Sequence, residues 1–276
     1  MKDRVPDIHI EAPRHRIPLD RVGVSGIKTR LKICSDECRD YDVRLDIYVD
    51  LSPDKRGIHI SRLTDCLRKC LLSYRHRSFK DFLWRLASII LSSYPGIEHV
   101  EISLSTIDYT NEMKPHILGC RVYREKSGEY WEEIHLVLEG LTACPCAQSV
   151  YSYFERTPLE NTPTHTQRTR LEVWLRAKKL DVDTKELVNK LQDSFSAPLE
   201  PVLKRIEEYE LLKKAYSRPR FAEDVARETL HIIKEIIGNT DQEIHVHVRV
   251  ESYDSIHQYN IVAETSYRYL EKSSSQ

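Results

Sequence analysis

Two thiols flank a proline in Thr142-Ala143-Cys144-Pro145-Cys146, and they are the residues of this chain best suited to chemistry. A thiolate ligates Zn or Fe(II), and a thiol near neutrality can move a proton. The pair is read as lying on irregular backbone just beyond a strand. A Cys-x-Cys pair alone is equally compatible with a structural role, so its company matters. His165 stands in Thr164-His165-Thr166-Gln167-Arg168, where the next strand should begin, and a neutral imidazole there could complete part of a metal site. His257 follows Asp254-Ser255-Ile256 at the turn between the last two strands. His245 and His247 alternate within a strand with no soft ligand near them, and they read as ordinary surface or hydrogen-bonded residues.

Glu207, Glu208, Glu210, Glu223 and Asp224 crowd a helical region, where most carboxylates simply face solvent. Glu223 differs in its position. It opens a strong helix after Arg218-Pro219-Arg220-Phe221, and a carboxylate placed there can accept two hydrogen bonds from adjacent N–H groups of a ligand. Guanine offers such a pair at N1–H and the 2-amino group, and adenine does not.

The elements that must hold these residues follow from apolar periodicity. Val43, Leu45, Ile47 and Val49 alternate as a strand ended by Leu51-Ser52-Pro53-Asp54, with a partner strand across Val22 to Ile33. Helical spacing runs from His59 to Tyr74 and from Phe79 to Leu91, stopped by Pro95-Gly96. Strands are expected around Val100 to Leu104, Ile117 to Tyr123 and Trp131 to Leu138. Beyond residue 165 come a strand at Arg170 to Leu175 and helices at Thr184 to Phe195, Glu207 to Tyr216 and Phe221 to Ile237. Gly238-Asn239 is a helix stop. Strands at His245 to Val250 and Asn260 to Tyr269 precede a polar tail, Lys272 to Gln276. The expected class is α+β: two tandem ββααββ modules, residues 1–140 and 141–276, with antiparallel sheets and helices on one face. The second module would carry the Cys-Pro-Cys loop and most of the metal-site residues.

Composition narrows the function. Lys plus Arg number 42 against 43 Asp plus Glu, so no global field recruits nucleic acid or an acidic membrane. The charged N-terminus and the absence of a long apolar run predict a cytoplasmic protein with neither signal peptide nor membrane span. Seven cysteines, an odd number, read as core residues, ligands or reactive thiols rather than as a disulfide framework.

A longer series of motifs carries a resemblance. It runs through Ile17-Pro18-Leu19-Asp20-Arg21-Val22-Gly23-Val24-Ser25, Val49-Asp50-Leu51, and Arg56-Gly57-Ile58-His59-Ile60-Ser61-Arg62. Thr142 to Cys146, His165 with Gln167-Arg168, Leu203-Lys204-Arg205, Glu207-Glu208, Ala215-Tyr216, Pro219, Phe221, Glu223-Asp224 and Ser255-Ile256-His257 complete it. In this order the residues resemble the GTP cyclohydrolase IB family, and within it the archaeal GTP cyclohydrolase of the methanopterin route. The sequence departs from the family in a longer connection between Cys146 and His165, in Asp254 where Glu is common, and in Gln258-Tyr259 after His257.

The resemblance implies a tunnelling fold (T-fold) assembled as a homotetramer with active sites at subunit interfaces. It implies one divalent metal per subunit, Fe(II) first with Zn or Mn as alternatives. Carried over by position, Cys144, His165 and Glu208 resemble the ligands, with His257 a fourth or exchangeable one. Glu223 resembles the guanine anchor, Cys146 resembles a thiol assisting proton transfer, and Asp254 could act through a water. The implied reaction is hydrolysis of the guanine imidazole ring of GTP with release of formate. Its product would be a dihydroneopterin phosphate, in the archaeal case the 2′,3′-cyclic phosphate with loss of pyrophosphate, at the start of a pterin pathway. Lys55 to Arg62 opens a helix, so His59 and Arg62 could hold phosphate from a neighbouring subunit, or the segment could be a plain charged helix start. Two other readings compete: another tunnelling-fold purine or pterin enzyme, and a non-enzymatic protein holding a structural zinc.

Overall fold

The computed structural model describes residues 6–110, 113–159, 162–238 and 242–270; Asn239 and the polar tail Lys272 to Gln276 lie outside them. In chain order the strands and α-helices are β1 (Leu19–Cys34), β2 (Cys38–Leu51), α1 (Ile60–Ser73), α2 (Phe79–Ser93), β3 (His99–Tyr109), β4 (Pro115–Glu125) and β5 (Tyr130–Ala143). There follow α3 (Pro145–Glu155), β6 (Thr166–Ala177), α4 (Thr184–Leu191), β7 (Ala197–Pro198), α5 (Arg205–Ser217), α6 (Ala222–Ile237), β8 (Ile244–Ser252) and β9 (Ile261–Tyr269). Among the described residues no helix is long and apolar enough to cross a membrane. By internal packing the chain forms two compact units, one of residues 1–106 and 119–133, the other of residues 107–118 and 134–276.

In the first unit β1 and β2 form an antiparallel hairpin, and β2 pairs with β3 so that Leu45 faces Leu104, Ile47 faces Ile102 and Val49 faces Val100. All six are buried, as period-2 alternation requires of a one-sided strand. The buried stripes Leu63, Leu67 and Cys70 of α1, and Phe82, Leu83, Leu86 and Ile90 of α2, complete this core. Ser78 caps α2, its hydroxyl accepting from the Asp81 N–H at 3.0 Å. Cys34 and Cys38 are disulfide-bonded across the β1–β2 turn. One bridge beside five free thiols is not a disulfide framework, but the sequence did not single this pair out: hairpin pairing sets Cys34 opposite Cys38, a juxtaposition the parity of the cysteine count cannot reveal.

In the second unit β6 pairs antiparallel with β8 and β8 with β9, while short β7 pairs with β5 through Gly140 opposite Pro198. Helix α6 packs against β8 and β9, and α4 packs against α6. The expectation of two tandem ββααββ modules does not hold. From β5 onward the order is strand, helix, strand, helix, short strand, two helices and two strands. Each of β3, β4 and β5 contributes residues to both units. Apolar periodicity reports each element singly; it carries no information on the added α3 and β7 or on which strands share a unit.

Gly140 is required by contact. A Cβ there would lie 2.1–2.4 Å from ring atoms of Phe195, a fully buried side chain. Gly140→Ala is expected to destabilise the protein by about 1–3 kcal/mol, the cost of overpacking, read as a lower urea midpoint at an unchanged slope.

Candidate active site

A cavity of about 680 Å³ lies in the second unit, lined by Cys144, Cys146, His165, Glu223, Asp254 and His257 among its polar and thiol groups. Its apolar wall comes from Val150, Tyr151 and Phe154 of α3, from Phe221 and from Ile256 and Ile261.

Backbone bonds explain why these distant residues meet. Strand β5 ends at Ala143, and Cys144 is the N-cap of α3 with Pro145 at the first helical position, where a missing N–H costs nothing. The Cys144 sulfur accepts from the Ala147 N–H at 3.4 Å, so it sits where the orphan donors of a helix start converge. The Cys144 N–H donates to the His165 carbonyl at 3.1 Å, and the Thr164 hydroxyl donates to the Cys144 carbonyl at 2.8 Å. These two bonds fasten the start of α3 to the start of β6. On the other side the Arg220 N–H donates to the Ala143 carbonyl at 2.9 Å, which brings the N-terminus of α6, and hence Glu223, to the same rim. The Ala143 N–H donates to the buried Ser196 hydroxyl at 3.1 Å, so the Phe195 to Ala197 segment supports the strand end. Buried Gln148 donates to the carbonyls of Thr162 and Tyr216, each at 2.8 Å, and ties α3 to the connection before β6 and to the end of α5.

The two imidazoles are each oriented through one nitrogen. His165 Nδ1 is 3.0 Å from the Ser255 hydroxyl. His257 Nδ1 is 3.0 Å from Asp254 Oδ1, which also accepts from the N–H groups of Ile256 and His257 at 2.8 Å. Burial works against the Asp254 charge, yet those hydrogen bonds outweigh it and hold the carboxyl below its ordinary range. Asp254 is therefore an anion that fixes the His257 ring, an arrangement common behind metal-ligating and acid–base histidines because it leaves Nε2 for the work.

A chain of hydroxyls underlies the floor. Gln167 Nε2 donates to the Thr142 hydroxyl at 3.0 Å, Thr142 and Thr169 share a 2.7 Å bond, and Thr169 donates to Ser252 at 3.1 Å. Gln167 Oε1 is buried without a hydrogen-bond partner. It lines the cavity, where an acceptor held ready suits a ligand N–H.

Of the residues singled out from the sequence, Cys144, Cys146, His165, Glu223, Asp254 and His257 are brought together. Glu208 lies on the exposed side of α5 and is not among the cavity's lining residues. His59 is the N-cap of α1 and Arg62 lies in its first turn, both in the first unit, with His59 Nε2 2.8 Å from Asp7 Oδ2. Sequence reasoning set Cys144 and Cys146 on irregular backbone. The structure corrects this: Cys146 is in the first turn of α3, a helix missed because its apolar residues line a cavity and show no core-facing stripe. The proline after Cys144 was the available helix-start signal. The roles of Ser255, Gln167 and the α3 wall were also missed.

The donor set suits a divalent metal in kind: one thiolate-forming sulfur and two imidazoles, each held at Nδ1 by Ser255 or Asp254. The three donors line one cavity without being drawn tightly together. Among the described residues, the group of three or more such donors whose ligand atoms all lie within 4.8 Å of one another is Asp7, His9 and His59.

Comparison with known proteins agrees over nearly the whole chain. The family model described as type I GTP cyclohydrolase folE2 matches residues 5–263. The chain is 32% identical to GTP cyclohydrolase MptA of Korarchaeum cryptofilum over 96% of its own length and 93% of that protein. It is 30% identical to GTP cyclohydrolase MptA of Aeropyrum pernix, covering 93% and 94%. For GTP cyclohydrolase FolE2 of Thermosipho melanesiensis the identity is 28%, covering 93% and 96%. Among solved structures it resembles the uricase of Arthrobacter globiformis, with a TM-score of 0.52 at 8% identity over 94% and 95% of the two chains. A urate oxidase variant of Bacillus sp. TB-90 gives 0.54 at 11% over 91% and 98%. At such identities the likeness concerns the fold alone.

Proposed function

We infer the function from one premise: this chain belongs to the type I GTP cyclohydrolase family. It is accordingly a GTP cyclohydrolase of pterin biosynthesis, with GTP as substrate. Our finer reading is that it is metal-dependent, releases formate from the guanine imidazole ring and forms dihydroneopterin 2′,3′-cyclic phosphate with pyrophosphate. The observation that supports this reading most is the convergence of Cys144, Cys146, His165, Glu223, Asp254 and His257 on one cavity.

In this reading Cys144, His165 and His257 hold a divalent ion, Fe(II) in preference to Zn or Mn. When bound, the ion supplies Lewis acidity and activates water. The chain's own residues do the rest. Glu223, in the first turn of α6, accepts from guanine N1–H and the 2-amino group, and Gln167 Oε1 offers a further acceptor. As the C8–N9 bond opens, a proton must reach nitrogen; Cys146 in the first turn of α3 and His257, held by Asp254, are the groups placed to deliver it. Phe221 and the α3 side chains give the base an apolar surface to pack against. The proposal includes a cytoplasmic homotetramer in which Arg62 of a neighbouring subunit meets the triphosphate, the His59 imidazole being already engaged by Asp7.

Anaerobic incubation of metal-free protein with GTP and each ion in turn, reading formate and the pterin by mass, tests this. Formate with at least one ion is expected, and none with any ion overturns it. Glu223→Gln keeps the shape but replaces one acceptor by a donor. It is expected to weaken GTP binding by roughly 1.5–3 kcal/mol, the scale of a charged hydrogen bond. Calorimetric titration should show this loss with metal content unchanged, whereas unaltered affinity removes the anchor role.

A further inference from the structure

A second cluster of metal-type donors lies in the first unit and takes no part in the cavity just described. Asp7, His9 and His59 offer a carboxylate and two imidazoles whose ligand atoms all lie within 4.8 Å of one another. The residues come from two separate segments. Asp7 and His9 bracket the start of a 3-10 turn, Ile8–Ile10, and His59 is the N-cap of α1. His59 Nε2 is 2.8 Å from Asp7 Oδ2, and His9 Nδ1 is 3.3 Å from Asp7 Oδ1, so one carboxylate meets both rings. The ring centroids are 4.6 Å apart.

The backbone around the cluster is fastened on both sides. The His9 carbonyl accepts from the N–H groups of Arg56 and Gly57 at 3.1 and 3.3 Å, and the Glu11 carbonyl accepts from Arg56 at 2.9 Å. The His59 N–H donates to the Tyr94 hydroxyl. A Cβ at Gly57 would lie 3.2 Å from His9 Cδ2, so glycine there gives the imidazole room. Two imidazoles packed this closely repel each other when protonated, and they gain when a shared cation replaces their protons. Two histidines and one carboxylate, with Asp7 and His9 exposed and His59 half-buried, are a three-ligand set with positions left for water.

We propose that Asp7, His9 and His59 form a second, thiolate-free site for a divalent transition-metal ion, distinct from the Cys144 cavity. Nitrogen and oxygen donors without sulfur select Zn(II), Co(II) or Ni(II) over soft monovalent ions. The bound ion would clamp the N-terminal segment to the start of α1, adding to the Asp7 carboxylate that already meets both imidazoles.

The test is a Co(II) titration of the metal-free, full-length chain, followed by absorbance and by bound metal per chain. Wild type is expected to bind two equivalents, only one of which develops the sulfur-to-cobalt charge-transfer band. His9→Gln and Asp7→Asn are each expected to lose one equivalent while keeping that band. Cys144→Ser should lose the band and keep the ligand-field absorption of the nitrogen and oxygen site. Circular dichroism of His9→Gln guards against misfolding, and the exposed His9 makes it a mild change. Unchanged stoichiometry and spectra in His9→Gln would overturn the proposal, as would a single equivalent in wild type that carries the thiolate band. Absence of the charge-transfer band beside a His9-sensitive equivalent would instead sink the Cys144 assignment and leave this one standing.

Discussion

Cys144→Ala is expected to abolish formate release and to empty the cavity of metal without unfolding the chain. The sulfur sits at the meeting point of three segments: it caps α3, its residue's N–H is bonded to the His165 carbonyl, and its own carbonyl holds Thr164. Only the first of these contacts uses the side chain. Alanine therefore keeps the two backbone bonds that fasten α3 to β6 and loses a single weak cap, a cost of about 1 kcal/mol. The metal, in contrast, would lose the one soft donor among Cys144, His165 and His257, and two imidazoles alone bind poorly. Metal analysis beside thermal denaturation separates the two effects. Full metal occupancy in the variant contradicts the ligand assignment, and a collapsed melting transition would mean that the sulfur's role is structural.

The second large effect is expected at Cys146. It lies one residue inside α3, lines the same cavity and is exposed, so a substitution there disturbs no packing. If its thiol delivers the proton that ring opening requires, Cys146→Ala should keep its metal and its GTP affinity while losing activity by on the order of 10²–10⁴-fold, the usual worth of a positioned acid–base group. Cys146→Ser, which retains a hydroxyl of far higher pKa, should recover little. His257 is the competing donor, and Asp254 discriminates between them. Asp254→Asn removes the charge that orients the His257 ring and leaves Cys146 untouched. A pH–rate profile that shifts in Asp254→Asn but not in Cys146→Ala would transfer the role to His257. Wild-type turnover in Cys146→Ala returns that thiol to a structural part.

Much of this molecule was legible in its residues because strands and helices with one buried face write their period into the chain. Val43 to Val49, Leu63 to Leu71 and Phe221 to Ile237 each alternate or recur as their burial demands, and each forms the element expected. The family was legible as well, since its motifs survive in order from Ile17 to His257 and the match extends over residues 5–263. Local chemistry also marked Cys144, Cys146, His165, Glu223 and His257 as residues of interest, and the resemblance added Asp254.

Tertiary structure alone decided which of them meet. Cys144 and His165 are joined by a backbone bond across 21 residues, and Glu223 arrives through the bond from Arg220 to Ala143; no periodicity encodes such long-range pairing. Helix α3 escaped notice because its apolar residues face a cavity, so the burial signal that reveals other helices is missing. The disulfide between Cys34 and Cys38 and the Asp7, His9 and His59 cluster depend on a hairpin register and on a strap of backbone hydrogen bonds. Sequence specifies each side chain's chemistry and each segment's local preference, but the distance between two side chains remote in the chain is set only when the whole core has condensed around them.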